Sequence, residues 1–228
     1  MNVRLLSYSG ASPEFASMGI DDAQELIAYC ARVSNPSNQL NTETSEKLIR
    51  YLVKHKHWSP LEMVSACLEI TTTRDIARQI LRHRSFSFQE FSQRYADPTK
   101  DLNFVLRDAR LQDTKNRQNS IALDLTNDEE KDLQRLWEIR QNNVITEARL
   151  AYQWAIENGI AKEQARAVLP EGLIESRLYM NGTLRSWVHF IELRSGNGTQ
   201  KEHMEVARAC AKAIAEIFPM AEEYVQPQ

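Results

Sequence analysis

The stretch "MVSACLEITTTRDIARQILRHRS", residues 63–85, decides the class of fold. In its first half Val64, Ala66, Leu68 and Ile70 alternate with Ser65, Cys67, Glu69 and Thr71, the period of a strand with one buried face. Beyond Thr73 the period changes. Stepping about 100° per residue, Ile76, Ala77, Ile80 and Leu81 cover one side of a helix and Arg78, Gln79, Arg82 and His83 the other. Thr73 is the candidate N-cap, and the helix is expected to run through Arg84. The same pairing recurs near the C-terminus: "LIESRLYM" (173–180) reads as a strand that turns at Asn181-Gly182 into the helix "TLRSWVHFIELR" (183–194), with Thr183 as its N-cap. Strands and helices mix without a strict βαβ rhythm, so the expected class is α+β, a mixed sheet of a few strands packed with several helices.

Working outward, "NVRLLSYS" (2–9) is a strand, and "DDAQELIAYCARVS" (21–34) a helix capped by Asp21 or Asp22 with Glu25 in its first turn. In "NTETSEKLIRYLVKHKHWSP" (41–60), Leu48, Ile49, Leu52 and Val53 keep helical spacing until Pro60. Residues 97–125 show little periodicity and much charge, which predicts a long surface excursion. Thr126 and Glu129 then form a capping box for one long central helix through Asn158. Leu133, Leu136, Trp137, Val144, Ala148, Ala151, Tyr152 and Ala155 lie along one face, and Gly159 stops it. "AKEQARAVLP" (161–170) is a short helix, and Thr199 with Glu202 boxes a last one after "SGNG" (195–198).

Composition bounds the function. The 228 residues, 42% hydrophobic, are enough for one core, so residues 1–228 read as a single domain with the 97–125 excursion as its variable part. A net charge of -3 argues against a general nucleic-acid binder. No apolar run approaches the roughly 18 residues that span a bilayer, and the N-terminus lacks a signal-peptide core, so a cytoplasmic protein without a membrane partner is expected. Cys30, Cys67 and Cys210 form no CxxC pair and read as reduced core residues. His55 and His57 are two apart and do not share a helix face as HExxH would, so no metal site is expected. Trp58, Trp137, Trp154 and Trp187 read as core or interface aromatics.

Positive charge is nevertheless concentrated locally: Arg78, Arg82, His83, Arg84 and Arg94 fall within seventeen positions. Guanidinium groups hold phosphate oxygens in paired charge-assisted bonds, and Ser92 and Glu90 can bond sugar hydroxyls or phosphate, a set that suits an anionic nucleotide. A solvated, salt-bridged basic face is the alternative from the residues alone. Two further alternatives stand beside it. One is an RNA- or DNA-binding module with Phe86, Phe88 and Phe91 as stacking platforms; the other is a cysteine-nucleophile transferase. With seven glycines and no GxGxxG, a dinucleotide would have to be held by side chains.

The order of residues adds a resemblance. Arg82-His83-Arg84, seven residues, Ser92, one residue and Arg94 is similar, without a gap, to the RHR-x7-S-x-R signature of the flavin-dependent thymidylate synthases. "ARVS" (31–34), "KHKHWSPLEM" (54–63), "ARAVLP" (165–170) and "LRSWVHFIELR" (184–194) resemble further family segments in family order. The resemblance implies reductive methylation of deoxyuridylate (dUMP) to thymidylate (dTMP). It also implies methylenetetrahydrofolate as carbon donor, FAD reduced by NADPH, and a homotetramer with shared sites. An alternative is a flavoenzyme with another nucleotide substrate.

By the same resemblance Gln79, Arg82, Glu90, Phe91, Ser92, Gln93, Arg94, Arg166 and Arg194 cradle dUMP, with Arg166 and Arg194 open to supply from a second chain. Ser34, His57, Ser59, Glu62, Arg82, His83, Arg84, Glu90, Thr183, Leu184, Arg185 and His189 meet the FAD. Arg194 is implied to be catalytic, a permanent cation stabilising the anion formed when the uracil ring NH loses its proton. From the residues alone, it is a helix-terminal charge complementing the dipole. The chain departs from the pattern at Thr183, where many relatives have asparagine. It departs again in "SGNGTQKEH" (195–203), which lacks a flavin-side histidine; His203, inside a helix, reads as structural.

Overall fold

The computed structural model of the chain describes residues 1–227. Its strands are β1 (Asn2–Tyr8), β2 (Ser65–Thr73), β3 (Ser87–Glu90), β4 (Arg110–Gln112), β5 (Ser120–Ala122) and β6 (Glu175–Thr183). The helices are α1 (Pro13–Ala16), α2 (Ala23–Ala31), α3 (Ser45–Lys54), α4 (Arg74–Ile80), α5 (Pro98–Asp101), α6 (Asp128–Glu157), α7 (Lys162–Ala165), α8 (Leu184–Arg194) and α9 (Lys201–Ala215). Four strands make an antiparallel sheet in the order β1-β2-β6-β3, giving the α+β class.

The register explains the core. Leu68 lies opposite Met180 and Ala66 opposite Gly182, so the alternating apolar residues of β2 and β6 share one face. Ala66, Leu68, Ile70, Leu178 and Met180 are fully buried there with Ile76 and Ile80 of α4, Trp187, Phe190 and Ile191 of α8, and Val206, Cys210 and Ile214 of α9. Each large apolar side chain so buried contributes roughly 1.5–3 kcal/mol relative to exposure. Each long strand feeds straight into a helix, β2 into α4 and β6 into α8, as the sequence periods require. Because β2 and β6 are antiparallel, the two helices enter from opposite ends of the sheet, and the chain leaving α4 meets the end of α8.

Several boundaries differ from the sequence expectation. The helix after Thr73 ends at Ile80 and not Arg84, so Arg82-His83-Arg84 lies in a turn. α3 stops at Lys54, before Pro60, because Lys56 adopts the left-handed region at φ 59°. β6 runs through Asn181-Gly182 to Thr183 without a turn, since both residues keep their pairing with β2. Asn127, not Thr126, caps α6: Asn127 Oδ1 accepts from Glu129 N at 2.9 Å. Gln200 replaces Thr199 at the start of α9, because Glu202 is drawn away to Arg110. Asp22 and Glu25 do form the capping box of α2, and Thr183 caps α8.

The expected buried face of α6 holds only at Ala148, Tyr152 and Ala155, with Gln141 and Ile145 buried beside them. Leu133, Leu136, Trp137 and Val144 stay exposed. The excursion 97–125 contains α5 and the β4-β5 hairpin, and it is tethered. Arg107 Nη2 donates to Thr73 Oγ1 and Asp75 Oδ1, each at 2.6 Å, and Arg110 pairs with Glu202.

Candidate active site

The turn after α4 is built by three backbone bonds: Arg82 N to Gln79 O, His83 N to Ile80 O, and Phe86 N to His83 O. Buried Ile76, Ala77 and Ile80 anchor its start, and Phe86, seated on Gly182 and edge-on to Trp187, anchors its end. Arg82 and Arg84 project to solvent between these anchors while His83 turns inward. There Arg194 Nε donates to His83 Nε2 at 2.9 Å. Burial first, then the charges of Arg194 and Arg82, push His83 down to about 4. His83 is therefore a neutral acceptor at pH 7, as the bond from Arg194 demands.

Arg194 is held by a neutral partner, and its guanidinium charge stays uncompensated. Among the described residues Arg82, Arg84, Arg166 and Arg194 have no carboxylate partner. Burial, then Arg82, holds the pKa of Arg194 below its ordinary value. Arginine remains protonated even so. Arg166 and Arg194 are half-buried, and unpaired cations so placed are costly unless an anion joins them; Arg82 and Arg84 are exposed.

The second arm of the motif lies along β3 and the turn beyond it. Glu90 is half-buried and already engaged: Ser176 Oγ donates to its Oε1 at 2.7 Å, with Arg74 at 3.5 Å and Arg78 at 3.9 Å. Phe91 N donates to Arg177 O and prolongs the pairing with β6. Ser92 opens a turn, its Oγ accepting from Arg94 N at 3.4 Å. Among the described residues no imidazole or carboxylate is bonded to its hydroxyl; His83 is bonded to Arg194 and Glu90 to Ser176. Gln93 is buried, and its Nε2 has no partner, a donor left waiting for an acceptor. Arg94 Nη2 lies 3.5 Å from Glu163 Oε2, and Arg166 Nε donates to Glu163 O at 3.3 Å. One chain thus brings Arg94 and Arg166 to the same residue of α7, so this pair does not need a second chain to meet.

The remaining candidates divide into those brought together and those that are not. Ser59 and Glu62 lie on a 3₁₀ turn (Ser59–Glu62) against α8, where Arg185 pairs with Glu62 and the His189 ring packs 4.3 Å from Trp58. His57 is exposed, 6.3 Å ring to ring from His55. Ser34 lines a separate cleft of about 540 Å³ between α2 and α3, with Arg32, Asn38, Lys47 and Tyr51. Leu184 is wholly buried with its N–H bonded to Val64 O, and the Thr183 hydroxyl accepts from Ser186 N as the cap of α8.

Three residues escaped the sequence reading: Gln200, Glu202 and Arg110, which connect to Gln79 through side-chain bonds. No local pattern marked Gln200 or Arg110. Glu202 was visible only as a capping candidate.

Residues 16–220 match the family model of the thymidylate synthase complementing protein. The "Probable flavin-dependent thymidylate synthase" of Paramecium bursaria Chlorella virus 1 is 46% identical over 219 residues, covering 96% of each chain. The flavin-dependent thymidylate synthase of Synechocystis sp. is also 46% identical, over 220 residues and 96% of each chain. Among solved structures, the UMP/dUMP methylase PolB from Streptomyces cacaoi bound with 5-Br dUMP superposes with a TM-score of 0.77 at 26% identity, covering 98% of this chain and 93% of that one.

Proposed function

The chain belongs to the flavin-dependent thymidylate synthase family, and from that premise we propose that it methylates dUMP reductively to dTMP. We assign methylenetetrahydrofolate as the carbon donor, NADPH as the reductant and FAD as the bound cofactor. The observation that carries the proposal is the set of cations without a carboxylate partner among the described residues, Arg82, Arg84, Arg166 and Arg194, together with the buried, unpartnered amide nitrogen of Gln93. These groups fit phosphate-bearing ligands. FAD, when bound, supplies the relay of a hydride from NADPH to the transferred carbon.

The chain's own residues divide the work. Arg82 and Arg84, fixed between Ile80 and Phe86, would bind flavin phosphate, with Glu62, Arg185 and His189 on the neighbouring helix face. Ser92 and Arg94 would hold the dUMP phosphate, joined by Arg166. Arg194, oriented by neutral His83, would stabilise negative charge on the uracil ring; a cation already oriented in a partly dry site costs no reorganisation when that charge develops. A cysteine nucleophile is disfavoured because burial raises the thiol pKa of Cys30, Cys67 and Cys210. The exposed apolar residues of α6, Leu133, Leu136, Trp137 and Val144, support assembly into the homotetramer. Among the described residues no helix is long and apolar enough to cross a membrane, and a cytoplasmic setting is part of the proposal.

The experiment is a steady-state assay of dTMP with dUMP, methylenetetrahydrofolate and NADPH, preceded by FAD titration and by light scattering for mass. UMP enters as a second substrate because PolB is named a UMP/dUMP methylase. Ser92→Ala should lower catalytic efficiency by roughly 10- to 150-fold, the loss of one hydrogen bond to a charged group. Arg194→Ala should lower turnover by about 100- to 1,000-fold. Wild-type protein that binds FAD but gives no dTMP would overturn the assignment.

A further inference from the structure

We propose that Gln200, Glu202 and His203 are positioning residues that hold the side-chain amide of Gln79 in one orientation at the edge of the dUMP cradle. The proposal rests on the function given above. Gln79 occupies the last turn of α4, and its carbonyl accepts from Arg82 N, so it sits at the root of the Arg82-His83-Arg84 turn. Its side chain is bound at both ends. Gln79 Nε2 donates to Gln200 Oε1 at 2.8 Å, and His203 Nδ1 lies 3.2 Å from Gln79 Oε1.

The direction of every bond follows from one charged anchor. Arg110 donates twice to Glu202, at 2.6 and 3.0 Å, and a guanidinium has no acceptor. Burial would raise Glu202, yet bonds from Arg110, its own backbone and Gln200 outweigh it and hold it at about 2, so this carboxylate only accepts. Gln200 Nε2, 2.9 Å from Glu202 Oε2, must therefore be the donor. That leaves Gln200 Oε1 facing Gln79, which must answer with Nε2. Gln79 Oε1 is then the acceptor, and the hydrogen of neutral His203 resides on Nδ1.

Reversing the Gln79 amide would set two carbonyl oxygens against each other at the 2.8 Å contact. The relay forbids that flip. What Gln79 can still offer a ligand is one N–H and one carbonyl lone pair in a set order, a pattern that a freely rotating amide would not discriminate. His203 is fully buried and packs against Phe190 at 5.8 Å, so it acts through Gln79 and not on substrate.

A double-mutant cycle tests this. Michaelis constants for dUMP are compared for wild type, Gln79→Met, Gln200→Met and the pair, all of similar side-chain length. Gln79→Met should raise the constant roughly tenfold, the size of one neutral hydrogen bond, and Gln200→Met nearly as much. The double variant should be no worse than Gln79→Met, because an orienting group has nothing left to orient. FAD affinity should stay within about twofold, the scatter of independent sites. Losses that multiply, or a Gln200→Met constant equal to wild type, overturn the relay. Should Gln200→Met lose its fold by circular dichroism, Glu202→Gln replaces it, keeping shape while freeing the direction of the chain. An unchanged Michaelis constant there overturns the proposal equally. Wild-type protein that makes no dTMP takes down the function and the relay together; a competent wild type with a multiplicative cycle takes down the relay alone.

Discussion

Gly182→Ala should damage both stability and the cofactor site, and the size of the effect follows from one contact. A Cβ added at Gly182 would lie 2.4 Å from Phe86 Cδ1, 2.7 Å from Cε1 and 3.2 Å from Cγ. Carbon atoms pack at about 3.5–4.0 Å, so the ring would have to retreat by about 1 Å. Retreat toward Trp187 is blocked, because that ring meets it edge-on at 4.8 Å and is itself pinned by its Nε1–H to Ala66 O at 3.0 Å. Overpacking costs about 1–3 kcal/mol, and an overlap this deep belongs at the top of that range. Alanine recovers about 0.5–1 kcal/mol of backbone entropy, which leaves a net loss of about 2 kcal/mol. For a chain of this length that is a fall in Tm of roughly 4–8 °C. If the ring instead yields, it carries His83 with it through the Phe86 N to His83 O bond, and FAD affinity falls. Thermal unfolding by circular dichroism and an FAD titration measure the two outcomes. Gly172→Ala, with nothing within 4 Å, is the control and should stay within about 0.5 kcal/mol of wild type. A Gly182→Ala protein with wild-type Tm and wild-type FAD affinity would refute the packing argument.

Acid should destabilise the fold. His83 and His203 fall from 6.5 to about 4 and about 3, chiefly through burial, and Glu202 falls from 4.5 to about 2. In each case the unfolded chain binds more protons than the folded one between the two values, so stability declines as pH drops below about 6.5 and declines further below about 4.5. Urea midpoints at pH 7, 6, 5 and 4.5 check the sign, and a midpoint that rises on acidification contradicts it. Thiol chemistry gives an independent check: with Cys30, Cys67 and Cys210 all raised by burial, iodoacetamide at pH 7 should leave dTMP formation unaltered. Loss of activity in proportion to a single alkylated cysteine would restore the cysteine nucleophile.

What could be read from the chain before folding was local. The period-two runs of β2 and β6, the switch to helical spacing after Thr73 and Thr183, the Asp22-Glu25 capping box and the Gly159 stop are all decided within four or five residues. The spacing of Arg82, His83, Arg84, Ser92 and Arg94 belongs to the same kind of information. Two boundaries failed where a remote group displaced a local one. Glu202 would have boxed Thr199 but is taken by Arg110, 92 residues away, and the end of α4 yields to a turn that Phe86 pins onto Gly182. On α6 the expected apolar face could not be told from an exposed one, because periodicity reports which residues share a side and not what covers it.

The sequence by itself determined the principal elements, β1, β2 and β6 with the helices that follow them, and the supply of cations; only the tertiary structure decided which cations remain uncompensated. Arg194 meets neutral His83 across 111 residues of chain, Gln79 meets Gln200 across 121, and Glu90 is claimed by Ser176 across 86. Propensity acts through neighbours within about one helical turn, whereas charge compensation depends on distances set by how the sheet aligns β2 with β6. Two arginines therefore differ in chemistry: Arg110 is neutralised by Glu202, while Arg194 has no carboxylate partner among the described residues.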